Sequence, residues 1–115
     1  MLGSAAPIYE LVGGQIKLGK RQEFSRIHQE VLVPILKDAN IEPYCMLVTE
    51  AGAYDRFLNI YRYANLEGYG QQTDDFAHDK RVADYFDALL TCIEGPLQVD
   101  LALELFPHPI IENAV

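Results

Sequence analysis

The chain contains no tryptophan, only two cysteines, and nine basic residues against seventeen acidic ones. Each shortage excludes something. Cys45 and Cys92 stand apart and form no C-x-x-C pair, so reduced, buried thiols are expected rather than a disulfide framework. The net charge is −8. The last basic residue is Arg81, whereas Asp84, Asp87, Glu94, Asp100, Glu104 and Glu112 all follow it. No basic cluster exists to replace the counterions of a phosphate backbone, so nucleic acid is not an expected partner, and an anionic membrane surface is disfavoured for the same reason. No apolar run approaches the ~18 residues that would suggest a membrane span. The opening MLGSAAP lacks the charged and long apolar regions of a signal peptide. A soluble, cytoplasmic protein is expected. His28, His78 and His108 have no metal-ligand spacing, and no P-loop, G-x-G-x-x-G or G-x-S-x-G appears, so neither metal nor cofactor is expected.

What is present is enough for one domain spanning residues 1–115. Half the residues are hydrophobic. A chain of this size should bury roughly two-thirds of the surface it exposes when unfolded. There is no repeat, no low-complexity tract and no linker. PIYELVGGQIKL alternates apolar and polar residues and contains Gly13-Gly14, which predicts a strand with a glycine bulge or bend. A helix is expected from about Lys20 to Asp38, with Phe24, Ile27, Val31 and Ile35 on one stripe and a bend near Val33, because Pro34 removes an N–H and crowds the preceding turn. EPYCMLVTE and DRFLNIYRY are rich in strand formers, and EAGAYD between them suits a hairpin loop. NLEGYGQQTDDF carries Gly68 and Gly70 and supports only a weak helical turn. Asp79 suits the N-cap of a second long helix from Lys80 to about Ile93, with Val82, Tyr85, Phe86, Leu89 and Ile93 as its stripe and Gly95-Pro96 as its stop. LQVDLALELF alternates most clearly, with Val99, Leu101, Leu103 and Leu105 on one face.

The order is β-α-β-β-α-β, the ferredoxin-like arrangement of an α+β fold. Two helices cover one face of a four-stranded antiparallel sheet. The other face needs a cover, and self-association is the common solution.

IYEL, a strand ending in KLGK, the helix EF…VLVPILKDANI, then VTEAG, FLNIYRYANLEGY and HDKRVADYF together resemble the NIPSNAP-type members of the dimeric α+β barrel superfamily. The resemblance covers about Ile8 to Phe106. Val12 stands where an arginine is common in the family, and Asn59 where a histidine is common. The resemblance implies a homodimer whose sheets pack face to face, with a pocket between sheet and helices in each subunit. A small apolar or aromatic substrate is expected, and the superfamily resemblance implies a polyketide or other secondary metabolite as its class. Activities known in the wider superfamily include cofactor-free monooxygenases, polyketide cyclases, isomerases and haem enzymes, while other members have none known.

His28 is the most informative candidate, because it falls inside the apolar stripe of the first helix. One reading is a core histidine, bonded to a neighbour and held neutral by desolvation. The other is a general acid or base facing the pocket. His78, before the second long helix, could be a neutral base or hydrogen-bond donor, or a solvated loop residue. His108, between two prolines, reads as exposed. Asn59, Tyr61 and Tyr63 share one face of the third strand. With Tyr9 of the neighbouring first strand they could line one cavity, where hydroxyl and amide groups would orient a phenol or enolate and stabilise a developing oxyanion. They could equally be barrel packing. Strand register is open, so either Tyr9 or Glu10 could face the pocket, and Glu10 and Arg62 form an ion pair only if the register permits. The expected catalytic residues are thus His28, Tyr61 and His78, and the expected substrate-binding residues are Tyr9, Asn59 and Tyr63. The expected activity is cofactor-independent acid/base chemistry on a carbonyl or phenolic compound, such as cyclisation, isomerisation or oxygenation, with a non-catalytic binding or assembly module as the alternative.

Overall fold

The computed structural model describes residues 6–52 and 54–105. His108 and the end of the last expected strand lie outside the described residues. The strands are β1 (Ile8–Ile16), β2 (Glu42–Val48), β3 (Arg56–Tyr63) and β4 (Ile93–Ala102). They form one antiparallel sheet in the order β2-β3-β1-β4, the ferredoxin-like topology. The helices are α1 (Arg21–Ile27), α2 (Val33–Asp38), α3 (Leu66–Ala77) and α4 (Val82–Leu90).

The first helix changes type where a bend or break was expected. A π-helical segment, His28–Leu32, joins α1 to α2, and the Val33 N–H reaches back to the His28 carbonyl. Pro34 follows directly, near the start of α2. A proline has no N–H to give and its ring crowds the carbonyl four residues back. A wider turn just ahead of it relieves both problems.

Residues 65–77 correct the expectation of a weak turn. Asn65 caps a twelve-residue helix, its side-chain oxygen accepting the Gly68 N–H at 2.6 Å. Tyr69 then anchors α3 on Tyr63, ring against ring edge at 4.9 Å. A good cap and a tertiary anchor outweigh two glycines that cost about 1 kcal/mol each. The second long helix is shorter than expected at both ends. Asp79 accepts the Arg81 N–H at 2.8 Å, but the helix begins at Val82 and stops at Leu90, and Ile93 belongs to β4. Gly95-Pro96 is therefore not a helix stop but an irregularity within β4. Gly13 pairs with Gln98 and Gln15 with Glu94, so β4 carries two extra residues there, and Gly95 takes φ +74°. The expected bulge exists, but the surplus belongs to β4. Gly14 itself makes room: a Cβ there would lie 2.9 Å from the Phe57 ring.

Register decides which side chains face the helices. Ile8, Glu10, Val12 and Gly14 pair with Tyr63, Tyr61, Asn59 and Phe57. Directly opposed residues share a face. That face carries the core: Ile8, Ile16, Phe57, Tyr61 and Tyr63 pack with Phe24, Ile27, Leu32, Ile35, Leu36, Tyr85 and Leu89. The opposite face carries Tyr9, Leu11, Leu47, Leu58, Ile60 and Arg62, and no described helix covers it.

Candidate functional site

A cavity of about 230 Å³ lies between the sheet and the helices. Its walls are mostly apolar: Leu32, Leu36, Ile41, Phe57, Phe76, Phe86, Leu89 and Leu97. Val99 also lines it and remains 54 % exposed, which marks the rim on the β4 side. The polar residues lining it are Asn59, Tyr61, Tyr63, Tyr69, Thr73, Tyr85 and Glu10.

Two polar groups are built into this wall. The first starts behind it, at His28. Its ring is 4 % exposed and does not line the cavity. Nδ1 lies 2.8 Å from the Phe24 carbonyl, which can only accept, so Nδ1 carries the proton. Nε2 is then an acceptor. Asn59 Nδ2 approaches it at 3.0 Å and the Tyr85 hydroxyl at 3.4 Å. Burial lowers the His28 pKa below its ordinary value, against a smaller upward push from the Phe24 carbonyl. The imidazole is therefore neutral and fixed in one tautomer. Its role here is to hold Asn59. The second Nδ2 hydrogen of Asn59 goes to the Tyr61 hydroxyl at 3.3 Å. Tyr61, having accepted a bond, keeps its own hydrogen to donate. Burial, aided by Glu10, pushes the Tyr61 pKa well above that of an ordinary tyrosine, so the phenol stays protonated.

The second group is Glu10. Its two oxygens are engaged separately, Oε1 by the Tyr63 hydroxyl at 3.2 Å and Oε2 by the Tyr69 hydroxyl at 3.3 Å. Burial first, then the Glu10 charge, raises both tyrosine pKa values. Both phenols act as donors.

Of the expected site residues, Asn59, Tyr61 and Tyr63 line the cavity together, and His28 supports it from one shell back. Tyr9 does not belong with them. It pairs with Arg62 on the opposite face, where its hydroxyl bonds Glu104 and accepts from Arg62 Nε at 3.2 Å. A strand alternates its side chains, so once Glu10 faces the cavity, Tyr9 cannot. The Glu10–Arg62 pair fails for the same reason. His78 is also displaced. It caps the C-terminus of α3, exposed, with Nδ1 2.8 Å from the Asp74 carbonyl, and that carbonyl together with the Asp74 charge raises its pKa. As expected, it precedes the second long helix, which begins at Val82. The unexpected α3 puts it at a C-terminus outside the cavity lining. Tyr69 and Tyr85 were missed as site residues. Glu10 was the open alternative to Tyr9, and its pairing with Tyr61 across the two central strands decides for it.

Residues 9–94 match the NIPSNAP family. The chain belongs to this family. Solved structures share its fold. A NIPSNAP family protein from Agrobacterium tumefaciens superposes with a TM-score of 0.78 at 22 % identity, covering 90 % of this chain and 98 % of that one. A NIPSNAP-like domain protein from Burkholderia xenovorans gives 0.79 at 13 % identity, covering 91 % and 90 %. An antibiotic-biosynthesis monooxygenase-like protein from Caulobacter crescentus gives 0.69 at 9 % identity, covering 90 % and 93 %. At these identities the likeness shows the α+β ferredoxin-like fold alone. No curated protein matches the chain. Among the described residues, no group of three potential metal ligands occurs and no helix is long and apolar enough to cross a membrane.

Proposed function

We propose that the sheet–helix cavity is the site of a cofactor-independent enzyme that acts by proton transfer on a small, partly apolar carbonyl or phenolic compound. The observation that carries this reading is the Tyr61 hydroxyl. It is buried in an apolar wall, accepts a bond from an amide that His28 holds in place, and keeps its hydrogen for a ligand. A pre-oriented donor in a water-poor cavity stabilises oxygen as it becomes anionic, and does so without reorganising. An enolate or phenolate oxygen fits that donor. Cyclisation, isomerisation and oxygenation all pass through such an anion. The fold shared with the Caulobacter protein is consistent with this class and does not select within it.

One observation favours a non-catalytic binding module instead. Nε2 of His28 is already occupied, so this histidine is not free to take a substrate proton. A titration with small phenols and cyclic β-diketones, followed by amide and side-chain NMR, tests both. Tyr61→Phe should weaken phenol binding about tenfold, the worth of one hydrogen bond of roughly 1.4 kcal/mol. The enzyme reading further requires that bound β-diketones exchange their acidic hydrogens with solvent deuterium faster than in buffer. Binding without accelerated exchange would favour the module. No shift at Asn59, Tyr61 or Tyr85 with either class would sink both.

We further propose that a second copy of the chain covers the outer face of the sheet. Leu47 on that face is 50 % exposed and Tyr44, on the same strand, 46 %, beside Leu11, Leu58 and Ile60. Leu47→Asp should then convert a dimer to a monomer in sedimentation while leaving the circular dichroism of the fold unchanged. A wild-type protein that sediments as a monomer at high concentration would refute the arrangement.

A further inference from the structure

The cavity wall holds one ionisable group that is not a phenol. Among the described residues, no Lys, Arg, His or Asp lines it, and Glu10 is its single carboxylate. Among the described residues, no basic side chain is ion-paired with Glu10; its partners are the hydroxyls of Tyr63 and Tyr69. One hydroxyl binds each oxygen, so the carboxylate is held in a fixed orientation, and each oxygen retains further acceptor capacity. Glu10 and Tyr61 are also direct partners across the β1–β3 ladder. Their Cβ atoms are therefore neighbours of about 5 Å on one face of the sheet. Beyond that they diverge. The Tyr61 hydroxyl leans toward Asn59 and His28, and the Glu10 carboxylate toward Tyr63 and Tyr69. A hydrogen-bond donor and a carboxylate thus stand apart along one apolar cavity.

We infer that Glu10 is the proton acceptor of this site, and that the substrate is a carbon acid whose carbonyl oxygen binds Tyr61 while its α-carbon faces Glu10. This rests on the proton-transfer reading of the cavity. In the step, a C–H bond breaks and its proton moves to a Glu10 oxygen. The electron pair of that bond becomes the C=C bond of an enolate, and the carbonyl π pair moves onto oxygen, where the Tyr61 O–H meets it. Protonated Glu10 then delivers a proton back to carbon: to the same carbon after its own proton has exchanged with solvent, which gives hydrogen exchange, or to another carbon, which gives isomerisation, with no external oxidant or reductant. Tyr63 and Tyr69 are positioning residues: they keep the carboxylate aimed into the cavity and free of a competing cation.

The test follows hydrogen–deuterium exchange at the α-carbon of a cyclic β-diketone, alongside the binding of a small phenol. Glu10→Gln keeps an oxygen for the tyrosines and removes the base. Exchange should fall at least about 100-fold, as loss of a general base does, while phenol binding persists. Glu10→Ala should fall equally and regain part of its rate when formate is added, which a merely structural role would not produce. Normal exchange in Glu10→Gln, with Tyr61→Phe impaired, overturns the assignment of Glu10 and leaves the proton-transfer reading standing. A wild-type protein that accelerates no exchange overturns both. Unfolding of Glu10→Ala without rescue, together with full activity of Glu10→Gln, marks Glu10 as structural and also overturns the inference.

Discussion

Tyr61 and Tyr63 are 6 % and 2 % exposed on the helix side of the sheet; Tyr44, which reaches Tyr9 from the edge strand β2 across β3, is 46 % exposed. The residue type is the same on both sides, and the physics differs. On the helix side each hydroxyl has a partner in one of two polar groups, one built on His28 and Asn59 and the other on Glu10. On the outer side the Tyr9 hydroxyl joins a rim of charges, Arg62 and Glu104. A buried hydroxyl without a partner is costly, so the inner face specifies its polar groups tightly, while the outer face can leave them to solvent. The difference teaches where function is to be sought. The inner hydroxyls are held by buried partners inside an apolar cavity, whereas the Tyr9 hydroxyl is held by charged side chains at an exposed rim.

The largest effect should separate the faces by packing. Ile35 has no exposed surface and belongs to the helix-side core, whereas Leu47 is half exposed on the outer face. Ile35→Ala should cost about 2–5 kcal/mol in urea unfolding, and Leu47→Ala well under half of that in the monomer. Equal costs would break the comparison. If Leu47→Ala instead lowers stability in proportion to protein concentration, the outer face is buried in a dimer, and the comparison sharpens into one between two kinds of core.

Next comes the polar network. Asn59→Ala removes the donor that satisfies both His28 Nε2 and the Tyr61 hydroxyl. His28 Nε2 then keeps the longer contact with the Tyr85 hydroxyl, at 3.4 Å, and the Tyr61 hydroxyl loses its donor. A loss of about 1–3 kcal/mol is expected, against a negligible change for the exposed Gln98→Ala on the outer side. A near-neutral Asn59→Ala would mean that the network is hydrated rather than closed.

How far this contrast could be read from the sequence follows from the same physics. Strand order, four strands and the shared face of Asn59, Tyr61 and Tyr63 follow from apolar alternation, which is local. Whether Tyr9 or Glu10 joins that face depends on register between β1 and β3, which the chain leaves open because both residues are plausible on either side. α3 was hidden by Gly68 and Gly70, since its stability comes from a cap at Asn65 and a contact with Tyr63 distant in sequence. His78 precedes the second long helix as its position in the sequence suggests, but its place at the end of α3 is hidden with that helix. The buried imidazole of His28 was visible as an anomaly in an apolar stripe, but its partner Asn59 lies 31 residues away.

A smaller effect should appear with pH. His28 in the folded protein has a pKa below its ordinary 6.5, chiefly through burial. Below pH 6.5 the unfolded chain binds a proton that the folded protein refuses, so stability falls as pH drops from 6.5 toward the folded-state value. The slope from this one group cannot exceed about 1.4 kcal/mol per pH unit. Exposed His78 acts oppositely, since its raised pKa favours the folded state at low pH, but at full exposure its contribution is slight. His28→Gln should therefore flatten the decline in denaturant midpoint between pH 6.5 and 5, and His78→Gln should not. An unchanged profile in His28→Gln would mean that the imidazole is protonated in the fold, and the tautomer argument would fail.

The smallest effect is predicted for Tyr9→Phe, and it is diagnostic because it is small. The substitution removes a hydroxyl that bonds Arg62 and Glu104 on the outer face and leaves the ring against Tyr44, 5.4 Å away. Water can replace both bonds, so unfolding free energy should stay within about 0.5 kcal/mol, and phenol binding in the cavity should not change at all. Tyr61→Phe, one sheet face away, removes a hydroxyl of the same chemistry and should weaken that binding about tenfold. The pair of variants isolates the face from the residue type. If Tyr9→Phe also weakens phenol binding, then the two sides of the sheet communicate through Arg62 or Glu10, and the cavity would have to be described as open to both.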